Sequence, residues 1–316
     1  MKIYQFILFF VMILTGGCIR IKPDQASQNQ QALAVLRHVM ATQSEWVKVH
    51  AAEYLIWSGN PQGVQERFLL EDKLYGSKPQ YRIGIWRVLA QLAATAGERK
   101  VWTDKIKAAF LDPAGTDRLH AAETLAKLRI SPLHDNQLLT EETLKSEVKP
   151  LALYTFWSVC FTSQDSQQAA PGQFLEMIQQ AGKDAVQKTI PAYAMRQLKG
   201  LSEPQWQRFS KIALAEPTGS SARIYLLSAA FSTADTKDFP PLLTALHSEL
   251  IKYKDAPSKG ERTEMTAALA ENGTSADLPL LLSLFKNENP FGNETDSEDV
   301  RAAAAYAILK INQRSR

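Results

Sequence analysis

Two short stretches place a histidine three residues ahead of a glutamate: "HAAEYL" at residues 50–55 and "HAAETL" at residues 120–125. On a helix, residues three apart share a face. Each copy therefore sets an imidazole beside a carboxylate, the groups that ligate a divalent metal or pass a proton. One such pair supplies two ligands, whereas a catalytic zinc centre takes three from the protein. If Val47, Ala51, Ala52 and Leu55 form the buried stripe of the first copy, His50 and Glu53 fall on the opposite face, and His120 and Glu123 occupy the same places in the second. What the two copies can do together depends on the elements that carry them.

Both copies belong to a longer series. A basic residue followed seven places later by an apolar one opens "KVHAAEYL" at Lys48, "RIGIWRVL" at Arg82, "RLHAAETL" at Arg118, "RIYLLSAA" at Arg223, "RTEMTAAL" at Arg262 and "RAAAAYAI" at Arg301. Two looser copies, "PLALYTFW" at Pro150 and "KTIPAYAM" at Lys188, fill the gap, so successive starts lie 32 to 39 residues apart. That period predicts a solenoid of helix pairs. A second amphipathic pattern runs between the copies, as in "DLPLLLSLFKN" from Asp277 and "PQWQRFSKIALAE" from Pro204, with proline in the first turn, where its missing N–H costs nothing. Strand signals are almost absent, and the fold class expected is all-α.

The pattern resembles the HEAT repeat family, whose second helix reads roughly V-R-x-x-A-A-x-A-L after a first helix of the form P-x-L-x-x-L. "LPLLLSLF" followed by "DVRAAAAYAIL" in residues 278–309 matches best. The resemblance implies an α-solenoid of about eight HEAT-like helix pairs over residues 31–316, with the second helices lining a concave groove. Pro150 and Pro191 disturb the register between about 145 and 215. Trp46, His50, Glu53, Arg87, His120, Glu123 and Trp206 are the candidate groove or partner-binding residues. A whole repeat separates the two His/Glu copies, and helices ~8–10 Å apart put them ~20 Å from each other, too far for one metal ion. The repeat between offers only Gly84 and Arg87 at the matching places. HEAT-like iron hydroxylases hold their metal through His-Glu dipeptides, and none of the five histidines here precedes a glutamate. No cofactor, metal or catalytic constellation is expected.

The basic column reads either as an anion-binding stripe or as local pairing, since Asp117, Glu261 and Asp299 stand one to two residues before their basic partners. Trp57, Trp86, Trp102 and Trp157 lie in apolar stretches suited to a core, whereas Trp46 and Trp206 have polar neighbours and suit exposed stacking on a sugar or a protein. The last second helix has apolar positions on nearly every face, and only "NQRSR" follows it. Tyr306 and Ile308, or Ala304 and Leu309, would then form an exposed associating rim unless Arg301 and Lys310 shield it.

The N-terminus "MKIYQFILFFVMILTGGC" has one lysine, a twelve-residue apolar run and small residues before Cys18. It resembles a bacterial lipoprotein signal peptide over residues 1–17, with lipidation of Cys18 and a polar tether over residues 18–30; Thr15 stands where that family usually has leucine. Ile19 in place of aspartate favours the outer membrane over the inner. Cys160 is left without a disulfide partner in an apolar stretch and should be a buried thiol. A net formal charge of +3 gives no reason to expect nucleic acid. The function expected is a non-catalytic, lipid-anchored envelope scaffold that binds another envelope protein. The alternatives are a carbohydrate or small-ligand binding module and, third, a HEAT-like lyase or hydroxylase.

Overall fold

The computed structural model describes residues 25–235, 240–288, 290 and 292–315. Sixteen α-helices and no strand are found among these residues, arranged as eight pairs. They are α1 (Gln25–Thr42) with α2 (Glu45–Trp57), α3 (Val64–Tyr75) with α4 (Tyr81–Leu92), α5 (Ala96–Leu111) with α6 (Arg118–Lys127), and α7 (Gln137–Leu144) with α8 (Lys149–Val159). The second half holds α9 (Gln164–Gln180) with α10 (Ala185–Leu198), α11 (Glu203–Ala215) with α12 (Arg223–Ser232), α13 (Pro240–Leu250) with α14 (Lys259–Asn272), and α15 (Leu278–Phe285) with α16 (Glu294–Arg314). Cys18 and the leader lie outside the described residues. So does most of the expected tether, except that α1 begins at Gln25, inside it. That stretch is held because Gln25 donates to the Asn312 carbonyl, while Asn312 donates to Gln28 and Asn29.

All eight anchors of the repeat, Pro150 and Lys188 included, fall in even-numbered helices. Pro150 sits in the first turn of α8, where no N–H is needed. Pro191 lies within α10, and the helix continues through it because Ile190, Ala192, Ala194 and Met195 are buried on both sides of the lost hydrogen bond. Each even helix packs on the next from α2 to α16, and α16 packs on both α1 and α2. The eight pairs therefore close into a ring, with the even helices inside. Alanine makes this tight packing possible: Ala51, Ala52, Ala121, Ala122, Ala229, Ala230 and Ala302 to Ala305 are all buried. Cross-helix pairs stay in register, as with His50 to Asp299 near helix starts and Trp57 to Gln91 near helix ends, so the inner helices run parallel.

Closure overturns the expected exposed rim. Tyr306 is 9% exposed, Ile308 1%, Ala304 0% and Leu309 3%. Helix α16 is covered by α1 and α2 on one side and by α14 and α15 on the other, and Tyr306 stacks on Tyr54 of the first pair. The basic column is structural. Arg118, Arg223 and Arg301 donate to carbonyls of Phe110, Leu214 and Phe285 in the last turn of the helix ahead, and Arg262 donates to the carbonyl of Ala256, just after the 3-10 segment Ile251–Asp255 that follows α13. Lys48, Arg82 and Lys188 instead reach forward to Glu71, Asp117 and Glu216 of the following pair. Asp117 thus serves Arg82 and not its neighbour Arg118, because an N-cap position faces the preceding repeat.

Candidate functional site: a central cavity

The ring encloses a cavity of about 660 Å³ that receives side chains from all eight inner helices. Counted from each basic anchor, the lining falls mainly at the second, fifth and ninth following positions. The second gives His50, Tyr225 and Glu264; the fifth gives Glu53, Arg87, Glu123, Tyr193 and Tyr306; the ninth gives Trp57, Gln91, Lys127 and Glu271. This is one stripe of a helix repeated around the ring.

Arg87 joins the two His/Glu copies. It is 1% exposed and donates through Nε and Nη2 to both oxygens of Glu53, at 2.7 and 2.8 Å, while Nη1 reaches Thr124 at 3.3 Å. Burial alone would raise the Glu53 pKa, but the charges of Arg87 and Lys127 outweigh it and hold the carboxyl below its usual value. Burial also works against the Arg87 cation, and Glu53 more than restores it. Glu123 pairs with Lys127 at 2.8 Å, and its pKa too is lowered against the effect of burial. Further round, Arg196 pairs with Glu264 at 2.6 Å and Lys199 with Glu271 at 2.8 Å.

Trp46 and His120 meet across α4. Their rings stack at 5.3 Å, and the Arg87 guanidinium lies 5.6 Å from the indole. Gly84 makes room for this: a Cβ there would stand 2.9 Å from Val49 Cγ2 and 3.1 Å from the Trp46 ring. Burial lowers the pKa of His120, opposed by the Glu123 charge, and its Nδ1 has no hydrogen-bond partner among the described residues. The two copies are thus one connected array, with Arg87 and Trp46 between them, and not two isolated pairs. Among the described residues no three histidine, cysteine or acidic side chains are grouped to hold a metal ion.

His50 crosses the seam of the ring, its Nδ1 2.9 Å from Asp299. Asp299 is 2% exposed and also lies 3.5 Å from Lys259. Burial would raise its pKa, but His50 and Lys259 hold it down. The local pairing of Asp299 with Arg301 expected from sequence gives way to this long-range contact. Beside it the Tyr54 and Tyr306 rings stack at 4.9 Å, and Trp57 stands edge-on to them at 5.9 and 6.0 Å. Trp57 donates to Gln91 Oε1 at 2.9 Å and stays 44% exposed.

Two tryptophan expectations are therefore reversed. Trp57, assigned to the core for its apolar neighbours, is the exposed indole of the cavity; its place three and seven residues after Tyr54 and His50 was the available signal. Trp206, expected to be exposed, is 5% exposed and donates to the Ala230 carbonyl at 2.8 Å, because the polar residues around it occupy the other faces of α11. Cys160 is buried as expected, its thiol pushed up to about 12 by burial. No family model, no curated protein and no solved structure matches this chain.

Proposed function

We propose that the chain is a non-catalytic binding protein that holds a small polar ligand in the centre of a HEAT-like ring, anchored at the bacterial envelope through Cys18. The observation that carries this reading is the convergence of all eight inner helices on one cavity of about 660 Å³, within the range of small-ligand sites. A general acid in such a cavity would need its carboxyl pKa raised; Glu53, Glu123 and Asp299 are all shifted the other way, so none of the three is poised as a general acid. Ala267 lines the cavity and is partly buried, so Ala267→Trp should place an indole inside it and obstruct a ligand. A thermal-shift screen of polar metabolites should yield compounds that raise the Tm of the parent and not of this variant. Failure of every compound to discriminate between the two proteins would overturn the reading.

A scaffold role is favoured by a different surface. Leu69, Leu70, Leu74 and Tyr75 on the outer helix α3 are 44–57% exposed, an apolar concentration suited to a protein partner. Leu70→Glu with Leu74→Glu should then abolish co-purification of an envelope protein while leaving cavity binding intact. The envelope assignment has its own test: fatty-acid labelling should depend on Cys18 and vanish in Cys18→Ser.

A further inference from the structure

The polar groups facing the cavity differ in what they have left to offer a ligand. The charged ones are committed to one another: Glu53 to Arg87, Glu123 to Lys127, Glu264 to Arg196, Glu271 to Lys199. Asp299 is committed likewise to His50 and Lys259. An ionic ligand would have to separate one of these pairs and leave a charge without a partner in a partly dry site. Four of the five lining tyrosines are in the opposite state; the fifth, Tyr193, is engaged by Lys127. Tyr54, Tyr154, Tyr225 and Tyr306 line the same cavity, and their hydroxyls bond to no described residue. None of these hydroxyls is fully buried. Burial pushes the pKa of all four upward, so each keeps its proton and can both donate and accept.

Leu128, Ile190, Ala267 and Ala303 give the lining small aliphatic patches, and three of its six aromatic rings, Tyr54, Trp57 and Tyr306, cluster on the seam side. Trp57 presents an indole with 44% of its surface free, braced edge-on by the Tyr54–Tyr306 stack and fixed by its bond to Gln91. Such a ring offers a flat face to whatever lies over it. A ligand that matches this lining has no ionic group, several hydroxyls that donate and accept, and one apolar face.

We propose that the cavity binds a neutral carbohydrate of one or two residues, with a sugar ring laid on Trp57 and its hydroxyls read by the unpartnered tyrosines. The proposal rests on the reading of the cavity as a ligand site, and it names the ligand's class. Calorimetric titration of the purified chain with maltose, cellobiose and diacetylchitobiose, with glutamate and choline as charged probes, tests it. At least one disaccharide should bind with Kd below about 1 mM. Trp57→Leu should weaken that affinity at least about tenfold. Tyr154→Phe and Tyr225→Phe, which keep their rings and hence the packing, should each weaken it roughly two- to tenfold.

Absence of binding by all three sugars overturns the proposal, as does unchanged affinity in both phenylalanine variants. Ala267→Trp separates the two levels of inference. If glutamate or choline binds and this variant abolishes it, the sugar assignment fails and the cavity reading stands. If sugar affinity is unchanged with this indole in the cavity, both fail.

Discussion

Arg87 shows how one side chain decides what its neighbours can do. From the sequence, His50/Glu53 and His120/Glu123 read as two separate surface pairs. Arg87 takes both oxygens of Glu53 and bonds to Thr124, so the carboxylate is neutralised and fixed. Arg87→Met would leave Glu53, 2% exposed, with no guanidinium beside it. We expect a loss of about 3–5 kcal/mol in urea denaturation, most of it recovered in Arg87→Met/Glu53→Met, because an apolar pair of similar volume avoids the desolvation that the ions suffer.

Two histidines should give opposite pH signatures. The hydrogen bond from His247 to Asp277 raises the His247 pKa, with burial opposing it. Its contribution is complete below about pH 6.5 and is lost as pH rises through the raised folded value. His120 has its pKa lowered by burial, so its contribution is present above about pH 6.5 and is lost as pH falls. His247→Gln should therefore lose more stability, relative to the parent, at about pH 5.5 than at about pH 9. His120→Gln should reduce the loss of stability on acidification. Equal pH profiles for the parent and both variants would contradict these assignments.

At the scale of the helix, much was legible because the same stripe repeats. Helix pairs, their period and all eight anchors follow from the spacing of basic residues and alanines, and the sequence already showed His50, Glu53 and Glu123 turned away from the outer helices. Trp57 was misplaced because "YLIW" is locally apolar, and local hydropathy does not say which face of an inner helix meets the cavity. Aligning the eight units on their anchors would have put it one turn beyond Glu53 on the lining stripe.

Gly84 was visible only as a gap between the two His/Glu copies. Its role depends on Trp46 crossing from α2 over α4 to His120, a contact between three helices that no single repeat encodes. Gly84→Ala should cost about 1–3 kcal/mol, since Val49 and the Trp46 ring both stand too near to admit a methyl group without shifting. Trp46→Leu in the same chain should relieve part of that cost. A double-mutant cycle with no coupling would separate the glycine from the stack.

Closure belongs to the whole molecule, and it was the feature the sequence concealed. A solenoid's curvature is the sum of small rotations per repeat, so an open superhelix and a closed ring can share the same local pattern. The seam itself is written in residues that look unrelated: His50 with Asp299, Tyr54 with Tyr306, Gln25 and Asn29 with Asn312. Removal of residues 277–316 distinguishes the two architectures. In an open array the cut breaks one interface, and the far end keeps its protection. In this ring α16 packs on α14 on one side and on α1 and α2 on the other, so the same cut breaks two interfaces and exposes both new ends. Hydrogen exchange should then quicken in α1 and α2 as much as in α14, while the middle helices α6 to α10 stay protected. Gel filtration should show the truncated chain self-associating through the buried faces that α16 covered. Unchanged exchange in α1 and α2 would mean that their stability does not depend on the seam.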